Sequence, residues 1–331
     1  MEFDLIEMIR RRSGIERDDV RLGIGDDAAV VAMPEGRELA IAIDTLVEGV
    51  HFPVGTAPFD IGWKALAVNL SDLAAMGATP AWALLALTLP AADSHYVESM
   101  IDGFVQLAAP HRLALIGGDT ARGPLTVTVA VHGFVPPGRA LTRSGARVGD
   151  MVMVTGTLGD AAAGLQCLDR HGARADALLG ASPGTREHLV ERLNRPTPRL
   201  AVGTALRDIA TACIDVSDGL LADLAHICRA SGVAAEIDAP MLPRSSALLT
   251  LFGEEAALDF ALSGGDDYEL CFTVPPERAS EVAGNLSRAG CVATRIGRIV
   301  AATGAEPPVY VRDAGGADVT PVRQGWEHFS G

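Results

Sequence analysis

The 331-residue sequence predicts an α/β protein built from two domains. Apolar residues make up 48% of the chain, enough for a sizeable core in each half. Short stretches rich in Val and Ile alternate with longer, helix-like stretches along the whole chain. A loop rich in Pro, Gly and Arg at residues 136–149 interrupts this alternation near the middle. We therefore expect an N-terminal domain over residues 1–137 and a C-terminal domain over residues 148–331.

The first half mixes long helices with strands. Apolar spacing predicts a short amphipathic helix over residues 3–12. Pro58 opens a helix over residues 59–76 that Gly77 closes. A third helix is expected over residues 94–109, with Ser94 as a candidate N-cap. Strands are expected at residues 38–44, 81–89, 113–116 and 126–135.

The second half repeats the alternation with shorter elements. Strands are expected at residues 151–154, 213–216, 234–237, 268–274 and 294–299. Helices are expected at residues 159–168, 185–193, 199–212 and 276–289, and one directly after Gly219. Residues 170–183, rich in Ala and Gly, are expected to form a loose connection. The strand, turn and helix around residues 213–219 would bring backbone N–H groups and a carboxylate to one place.

The charge balance excludes several classes of partner. With a net charge of −15 and a pI near 4.9, the chain has no basic surface for nucleic acid or an anionic membrane. An acidic protein can still bind phosphates, but it then needs metal ions or local arginines. The five cysteines are scattered without a Cys-x-x-Cys pair, which argues against zinc and suits a reducing cytoplasm. The start of the chain lacks a signal-peptide pattern, and no apolar run is long enough to span a membrane, so we expect a cytoplasmic protein.

Acidic residues beside Gly, Ser or Thr recur along the chain. The first case, Gly23-Ile24-Gly25-Asp26-Asp27, places adjacent carboxylates on a tight turn, where they repel unless a cation lies between them. Taken singly, each acid is explained as well by a helix cap, a turn or a solvated side chain. Their repetition at the ends of strands favours a common role in binding Mg²⁺, which in turn would hold phosphates. These acids stand in six stretches: Gly25-Asp26-Asp27, Asp44-Thr45, Ser71-Asp72, Gly118-Asp119-Thr120, Asp215-Val216-Ser217-Asp218 and Gly265-Asp266-Asp267.

Familiar nucleotide motifs do not explain this pattern. The Gly23-x-Gly25 turn fits a dinucleotide fingerprint only loosely, because Asp26 and Asp27 would repel a pyrophosphate. Lys64 is the only lysine, so a phosphate-binding loop of the Gly-x4-Gly-Lys type is absent, and so is the protein-kinase motif set.

Arg143 is either a surface charge or a phosphate clamp, and Trp326 either a core anchor or a stacking platform.

Several motifs together resemble the thiamine-monophosphate kinase family, whose superfamily also holds aminoimidazole ribonucleotide synthetase and selenophosphate synthetase. The resemblance covers the chain from end to end and is most specific at residues 64–78. The matching segments are GIGDDA at 23–28, DTLVEGVHF at 44–52, KALAVNLSDLAAMGA at 64–78, IGGDT at 116–120, LTRSG at 141–145, IDVSDGL at 214–220 and SGGDDYEL at 263–270.

The resemblance implies a homodimer of two-domain subunits with a PurM-like fold. Its N-terminal mixed sheet would pair in the dimer, its C-terminal domain would be an α/β sandwich, and ATP would bind in a groove between the domains. By motif match the residues that would bind magnesium are Asp27, Asp44, Asp72, Asp119 and Asp215, and Asp218 would bind a further ion. ATP would contact Gly118, Asp119, Arg143 and Ser217, and thiamine phosphate would contact His51, Asp266 and Trp326. The family usually has Ser or Thr before the acid matched by Asp44; Ala42 and Ile43 stand there instead, so a hydroxyl ligand is lost.

The function expected from the resemblance is ATP-dependent phosphorylation of thiamine phosphate to thiamine diphosphate. A phosphate oxygen is already ionised at neutral pH, so no protein nucleophile is needed, which agrees with a site of acids lacking a Ser/His/Asp arrangement. Two alternatives stay open. One is another ATP-using enzyme of the superfamily, although no cysteine precedes Asp26 as selenophosphate synthesis would require. The other is a non-catalytic sensor of metal or nucleotide.

Overall fold

The computed structural model describes residues 2–169, 182–302, 304, 308–321 and 325. Residues 170–181 of the expected loose connection and Trp326 lie outside these described residues. The chain divides into two compact units. The first comprises Met1–Leu73 with Ala78–Ala140, and the second comprises Ala74–Gly77 with Leu141–Gly331.

The first unit contains a four-stranded sheet and three helices. Its helices are α1 (Glu2–Arg12), α2 (Pro58–Ala75) and α3 (Ser94–Ala108). Its strands are β1 (Val20–Leu22), β2 (Val30–Val31), β3 (Glu38–Val47), β4 (Thr79–Leu89), β5 (Ala114–Arg122) and β6 (Thr126–Val135). The sheet order is β3-β6-β4-β5, with only the β4–β5 pair parallel, while β1 and β2 form a separate small hairpin.

One face of this sheet is buried and the other is open. Val127, Val129 and Val131 alternate along β6 and are almost completely buried, as period-2 patterning predicts. On the open face of the edge strand β3, Ile41 and Ile43 are 62% and 65% exposed. The sheet therefore carries an exposed apolar strip along one edge.

Helices α2 and α3 cross at close range because glycine stands at both contact points. A Cβ at Gly62 would lie 1.8 Å from the Met100 carbonyl oxygen, and one at Gly103 would lie 1.9 Å from the Phe59 carbonyl oxygen. Neither position accepts a larger residue without separating the helices. This crossing fixes the course of α2, which carries Asp72.

The second unit contains a six-stranded sheet. Its strands are β7 (Met151–Thr155), β8 (Ala212–Val216), β9 (Val233–Asp238), β10 (Glu269–Val274), β11 (Ala293–Ala301) and β12 (Val309–Arg312). The order is β12-β9-β11-β7-β10-β8, antiparallel except for the β12–β9 pair. Its helices are α4 (Asp160–Leu168), α5 (Pro183–Asn194), α6 (Leu200–Leu206), α7 (Leu220–Ser231), α8 (Ser246–Ser263) and α9 (Ala279–Arg288).

Several elements differ from the sequence expectations, among them the strands β1, β2 and β12, which were not expected. The N-cap of α3 is Asp93, whose side chain accepts from the Tyr96 N–H, rather than Ser94. Strand β5 runs through Asp119 to Arg122, because β4 pairs with it in parallel register beyond the two glycines. The helix expected over residues 199–212 ends at Leu206, since β8 begins at Ala212. Helix α8 was not expected at all. Among the described residues, no helix has both the length and the apolar content needed to cross a membrane.

Candidate functional site

The acidic turn of the first unit is open to solvent. Gly25 has a φ of 124°, a conformation that side-chain-bearing residues rarely adopt, and it turns the chain toward Asp26 and Asp27. Both acids are exposed, and the Asp27 N–H donates to Asp26 Oδ1 at 2.9 Å. The turn thus places a carboxylate pair on the surface next to β2.

The strand acids Asp44 and Asp119 lie on opposite edges of the four-stranded sheet. Asp44 on β3 is aligned with the buried Val129 of β6, whereas Asp119 on β5 is aligned with Ala86 of β4, on the open face. Three inter-strand steps of about 4.8 Å place the two edge strands about 14 Å apart. The register therefore does not bring these two carboxylates together within one sheet.

Helix α2 presents its polar residues among buried neighbours. Asp72 is half-buried, and Asn69, one turn before it, is completely buried. The Asn69 amide donates to the Ala65 carbonyl at 2.9 Å, while its Oδ1 has no hydrogen-bond partner among the described residues. An unsatisfied buried acceptor costs about 1–3 kcal/mol unless a ligand or water meets it.

The His51 loop is fixed by the buried Lys64 of α2. Lys64 Nζ donates to the His51 carbonyl oxygen at 3.1 Å, and the side chain is 2% exposed. His51 Nδ1 accepts from the Val47 N–H at 3.0 Å, so a neutral His51 carries its proton on Nε2. The only lysine of the chain therefore supports the loop of a predicted substrate residue.

In the second unit, the turn from Asp215 to Gly219 is built around a residue that the motifs did not single out. Asp215 is buried at the end of β8, and Asp218 is half-buried in the turn that follows. Asp223 Oδ2 accepts from the backbone N–H groups of Ser217, Asp218 and Gly219 at 3.0, 3.1 and 3.2 Å. The N–H groups expected at this spot thus hydrogen-bond with the chain's own carboxylate.

Asp223 is held in an unusual electrostatic environment. Burial, followed by the neighbouring charges of Asp215 and Asp218, raises its pKa well above the usual value for a carboxyl. The N–H groups of Ser217 and Asp218 oppose this shift, because they favour the ionised form. A group with this environment, in direct contact with predicted ligands, belongs to the candidate site.

A second loop, residues 263–268, lies against this turn. The Asp266 N–H donates to the Ser217 carbonyl at 2.8 Å, and the Tyr268 N–H donates to the Val216 carbonyl at 2.8 Å. A Cβ at Gly265 would lie 2.5 Å from the Ser217 carbonyl oxygen, so only glycine allows this approach. Asp266, predicted to bind substrate, has a φ of 69° and accepts from the Tyr268 hydroxyl at 2.9 Å.

The next acid, Asp267, is buried and attaches the loop to the start of α4. Its carboxylate accepts from the N–H groups of Gly159 at 2.6 Å and Ala161 at 3.3 Å, at the start of α4. Burial raises the pKa of Asp267 to about 8, against the opposing effect of the nearby Arg192. The carboxyl is therefore structural and faces the protein interior.

A buried ion-pair network continues from this loop into β10. Glu269 is 1% exposed; it accepts from Arg199 at 2.6 Å and 2.5 Å, from Arg192 at 2.9 Å and from the Thr155 hydroxyl at 2.6 Å. Two guanidinium groups thus share one carboxylate. This network fixes the strand on which the 263–268 loop ends.

The remaining predicted residues are placed as follows. Arg143 lies exposed in a loop whose Gly145 and Ala146 N–H groups donate to the Ser231 hydroxyl at 3.1 and 3.2 Å. Trp326 is outside the described residues, but its neighbour Gly325 lies so close to the turn that a Cβ there would be 2.7 Å from the Asp218 carbonyl oxygen.

No group of three or more His, Cys, Asp or Glu side chains in the described part of the chain stands close enough to form a metal cage. The six predicted metal ligands are all carboxylates, and Mg²⁺ is typically held by one or two carboxylates together with water and substrate phosphates. The donor chemistry therefore fits Mg²⁺, and the assignment of each acid stays a prediction.

Sequence reasoning missed Asp223 and Glu269 as parts of this region. Asp223 could have been found as the acid in the first turn of a helix whose N-cap is Gly219. No signal links Glu269 to Arg192 and Arg199, which lie about 70 residues away along the chain. All five cysteines are free thiols, and the cytoplasmic location stays a prediction.

Comparison with known proteins assigns both halves of the chain to the same class of protein. Residues 25–135 match the family model for the N-terminal domain of AIR synthase related proteins, and residues 147–309 match the model for the C-terminal domain. The chain is thus a two-domain AIR synthase-related protein with the corresponding mixed α/β fold.

Within that class, a more specific group of relatives is similar over the full length. Thiamine-monophosphate kinase of Escherichia coli K12 is 50% identical, over 99% of this chain and 98% of the relative. The crystal structure of the corresponding protein of Stenotrophomonas maltophilia K279a is 50% identical, with a TM-score of 0.85 over 94% of this chain and 96% of that one. AaThiL complexed with AMPPCP and TMP is 33% identical, with a TM-score of 0.76 over 99% of this chain and 97% of that one. The chain belongs to the thiamine-monophosphate kinase family.

Proposed function

We propose that this protein transfers the γ-phosphoryl group of ATP to the phosphate of thiamine phosphate, forming thiamine diphosphate and ADP. The observation that carries the proposal is the 50% identity, over 99% of the chain, to a thiamine-monophosphate kinase. It is supported by the similarity to AaThiL complexed with AMPPCP, an ATP analogue, and TMP. The full length of the similarity favours this activity over the other ATP-dependent reactions of the superfamily.

The reaction joins two anions, so their repulsion must be screened before they can approach in line. Mg²⁺, when bound, would neutralise phosphate oxygens and stabilise the charge of the transition state. Its proposed holders are Asp27, Asp44, Asp72 and Asp119 in the first unit, with Asp215 and Asp218 in the second. The chain's own contribution is to hold these carboxylates in place by the sheet, by α2 and by the segment from Asp215 to Gly219.

The substrate groups would be met by residues of different character. Arg143, exposed on its loop, would bind phosphate oxygens, and Ser217 and Gly118 would border the nucleotide. The thiazolium ring of thiamine phosphate is a cation, which suits the carboxylate of Asp266 and an aromatic face such as Trp326. His51, with its proton on Nε2, would donate a hydrogen bond to the substrate.

We also propose that the protein works as a homodimer joined through the open face of the four-stranded sheet. Leu39, Ile41 and Ile43 of β3 and Leu84 of β4 are 38%, 62%, 65% and 37% exposed, which is unusual for neighbouring apolar residues on one sheet face. The sheet register offers a second argument, because Asp44 and Asp119 lie on opposite edges of one subunit's sheet. A second copy would bring further acids to each site.

The activity is tested by following ADP release with a panel of acceptors at millimolar Mg²⁺. We expect turnover with thiamine phosphate, little with thiamine itself, and none after the metal is removed with EDTA. Turnover with an aminoimidazole precursor or with selenide instead would assign the protein to another branch of the superfamily. Nucleotide binding without turnover for every acceptor would favour the sensor alternative.

A further inference from the structure

The 215–219 turn is clamped on both sides of its peptide planes. In a trans peptide the C=O and N–H groups point in opposite directions. For the peptide between Val216 and Ser217, the N–H donates to Asp223 and the C=O accepts from Tyr268. For the peptide between Ser217 and Asp218, the N–H donates to Asp223 and the C=O accepts from Asp266. Both peptide groups are thus fixed between one buried carboxylate and the second loop.

Asp223 does more than cap the helix on which it stands. In an ordinary capping box, an acid in the first turn reaches back to the single N–H of the N-cap residue. Asp223 bonds the N–H of Gly219, which is the N-cap of α7, and also those of the two residues before it. Three N–H groups meet one oxygen of Asp223, so the chain's own carboxyl group fills the concavity that such a set of N–H groups could offer to an anion. The side chain is 3% exposed, so solvent cannot take over these bonds.

We propose that Asp223 is a positioning residue for the reaction. It holds the 215–219 turn, and through that turn it also holds the attached 263–268 loop in position. Asp218 stands in the clamped segment, and Asp215 lies on β8 directly before its first clamped peptide group. Asp266 lies in the loop that hydrogen-bonds to the same peptide groups. A change at Asp223 should therefore disturb metal binding and substrate binding together, although Asp223 touches neither ligand. The roles of Asp215, Asp218 and Asp266 rest on the proposed function.

The test compares Asp223→Ala and Asp223→Asn with Asp93→Ala. Asp93 caps α3 in the first unit, where its side chain accepts from the Tyr96 N–H at 3.1 Å, so its removal also costs a helix cap. Two quantities are measured on the folded full-length chain: the Mg²⁺ concentration for half-maximal turnover, and the KM for thiamine phosphate. Melting temperatures are recorded for every variant.

For Asp223→Ala we expect both quantities to rise more than tenfold. For Asp223→Asn we expect a rise of about three- to tenfold, because an amide oxygen is a weaker acceptor than a carboxylate. Asp93→Ala should change neither quantity by more than twofold, even if its melting temperature falls as far as that of an Asp223 variant. If Asp223→Ala does not fold, the Asp223→Asn variant decides. Values within twofold of the wild type for a folded Asp223 variant would overturn the proposal, as would equal effects of Asp93→Ala.

A direct binding measurement separates this inference from the proposed function. Calorimetric titration with AMPPCP and Mg²⁺ requires no turnover, so it remains informative if the wild type fails to phosphorylate thiamine phosphate. We expect a dissociation constant at least tenfold higher for Asp223→Ala than for the wild type and Asp93→Ala. Equal dissociation constants for all three proteins would overturn the positioning role, whatever the reaction.

Discussion

Replacing Glu269 by Gln tests the buried ion-pair network that supports the 263–268 loop. The substitution keeps the size of the side chain but removes the only charge that faces both Arg192 and Arg199 in the contacts described above. Those arginine side chains are 13% and 21% exposed, and Glu269 itself is 1% exposed. Breaking a buried pair by removing one partner costs about 3–5 kcal/mol, and here one carboxylate serves two cations. Against a typical domain stability of about 5–15 kcal/mol, we expect much of the stability to be lost.

The large loss of stability expected for Glu269→Gln follows from the burial of the ion pair. The matched control is therefore an ion pair of the same type at the surface. Glu281 pairs with Arg278 at 2.6 Å, but their side chains are 51% and 33% exposed. Glu281→Gln should leave the free energy of unfolding close to that of the wild type, because solvent screens an exposed ion pair. Both variants are compared with the wild type by urea denaturation. A cost below about 1 kcal/mol for Glu269→Gln would refute the reasoning that the network is a main support of this unit.

Three further predictions address the dimer, pH and the metal. Ile43→Lys places a charge on the exposed apolar strip and should convert a dimer into a monomer in light scattering. Asp267→Asn should flatten the pH dependence of stability. The pKa of Asp267 is raised from 3.8 to about 8, so between these pH values the folded wild type holds a proton that the unfolded chain releases. The free energy of unfolding of the wild type therefore falls by about 1.4 kcal/mol per pH unit as the pH rises through this window. Asp72→Asn should lower kcat at least about 100-fold in the coupled assay while changing stability by roughly 0.5 kcal/mol or less.

Each of these predictions has a matched control in the chain. Val54 is 78% exposed and lies outside the sheet, so Val54→Lys should leave the oligomeric state unchanged. Asp18→Asn, at an exposed acid, should retain the pH dependence of the wild type. Asp60→Asn, in the first turn of the same helix as Asp72, should retain activity. A monomeric wild type, an Asp267→Asn variant with the wild-type pH slope, or an active Asp72→Asn would each contradict the corresponding argument.

The alternation of strands and helices was predictable because most elements bury one face and show it in their periodicity. Strand β6 was predicted at its observed bounds, since Val and Thr alternate along it without interruption. Helix α8 was missed because Gly253, with a φ of 75° and a ψ of 173°, interrupts it, so no single helical period runs through the whole segment. The end of β5 was missed because Gly117 and Gly118 suggest a turn. In the structure Gly118 instead allows a close approach of β4, since a Cβ there would lie 1.8 Å from the Leu85 carbonyl oxygen.

The candidate site was predictable to the extent that its chemistry is local in sequence. Asp215, Ser217 and Asp218 form one short motif, and the structure places Asp215 near the end of β8 and the other two in the turn directly after it. The contact of this turn with the 263–268 loop spans about 50 residues and depends on backbone hydrogen bonds, which leave no trace in side-chain patterns. Asp223 was missed for a related reason: an acid in the first turn of a helix is common, and only the structure shows how many N–H groups it binds.

The most direct test of the account is the fate of the γ-phosphorus of ATP, followed by ³¹P NMR with thiamine phosphate and Mg²⁺. The account predicts that thiamine diphosphate and ADP accumulate in equal amounts, and that inorganic phosphate stays at the level of a control without thiamine phosphate. Inorganic phosphate formed in step with ADP, or no change in the ATP signals at all, would contradict it.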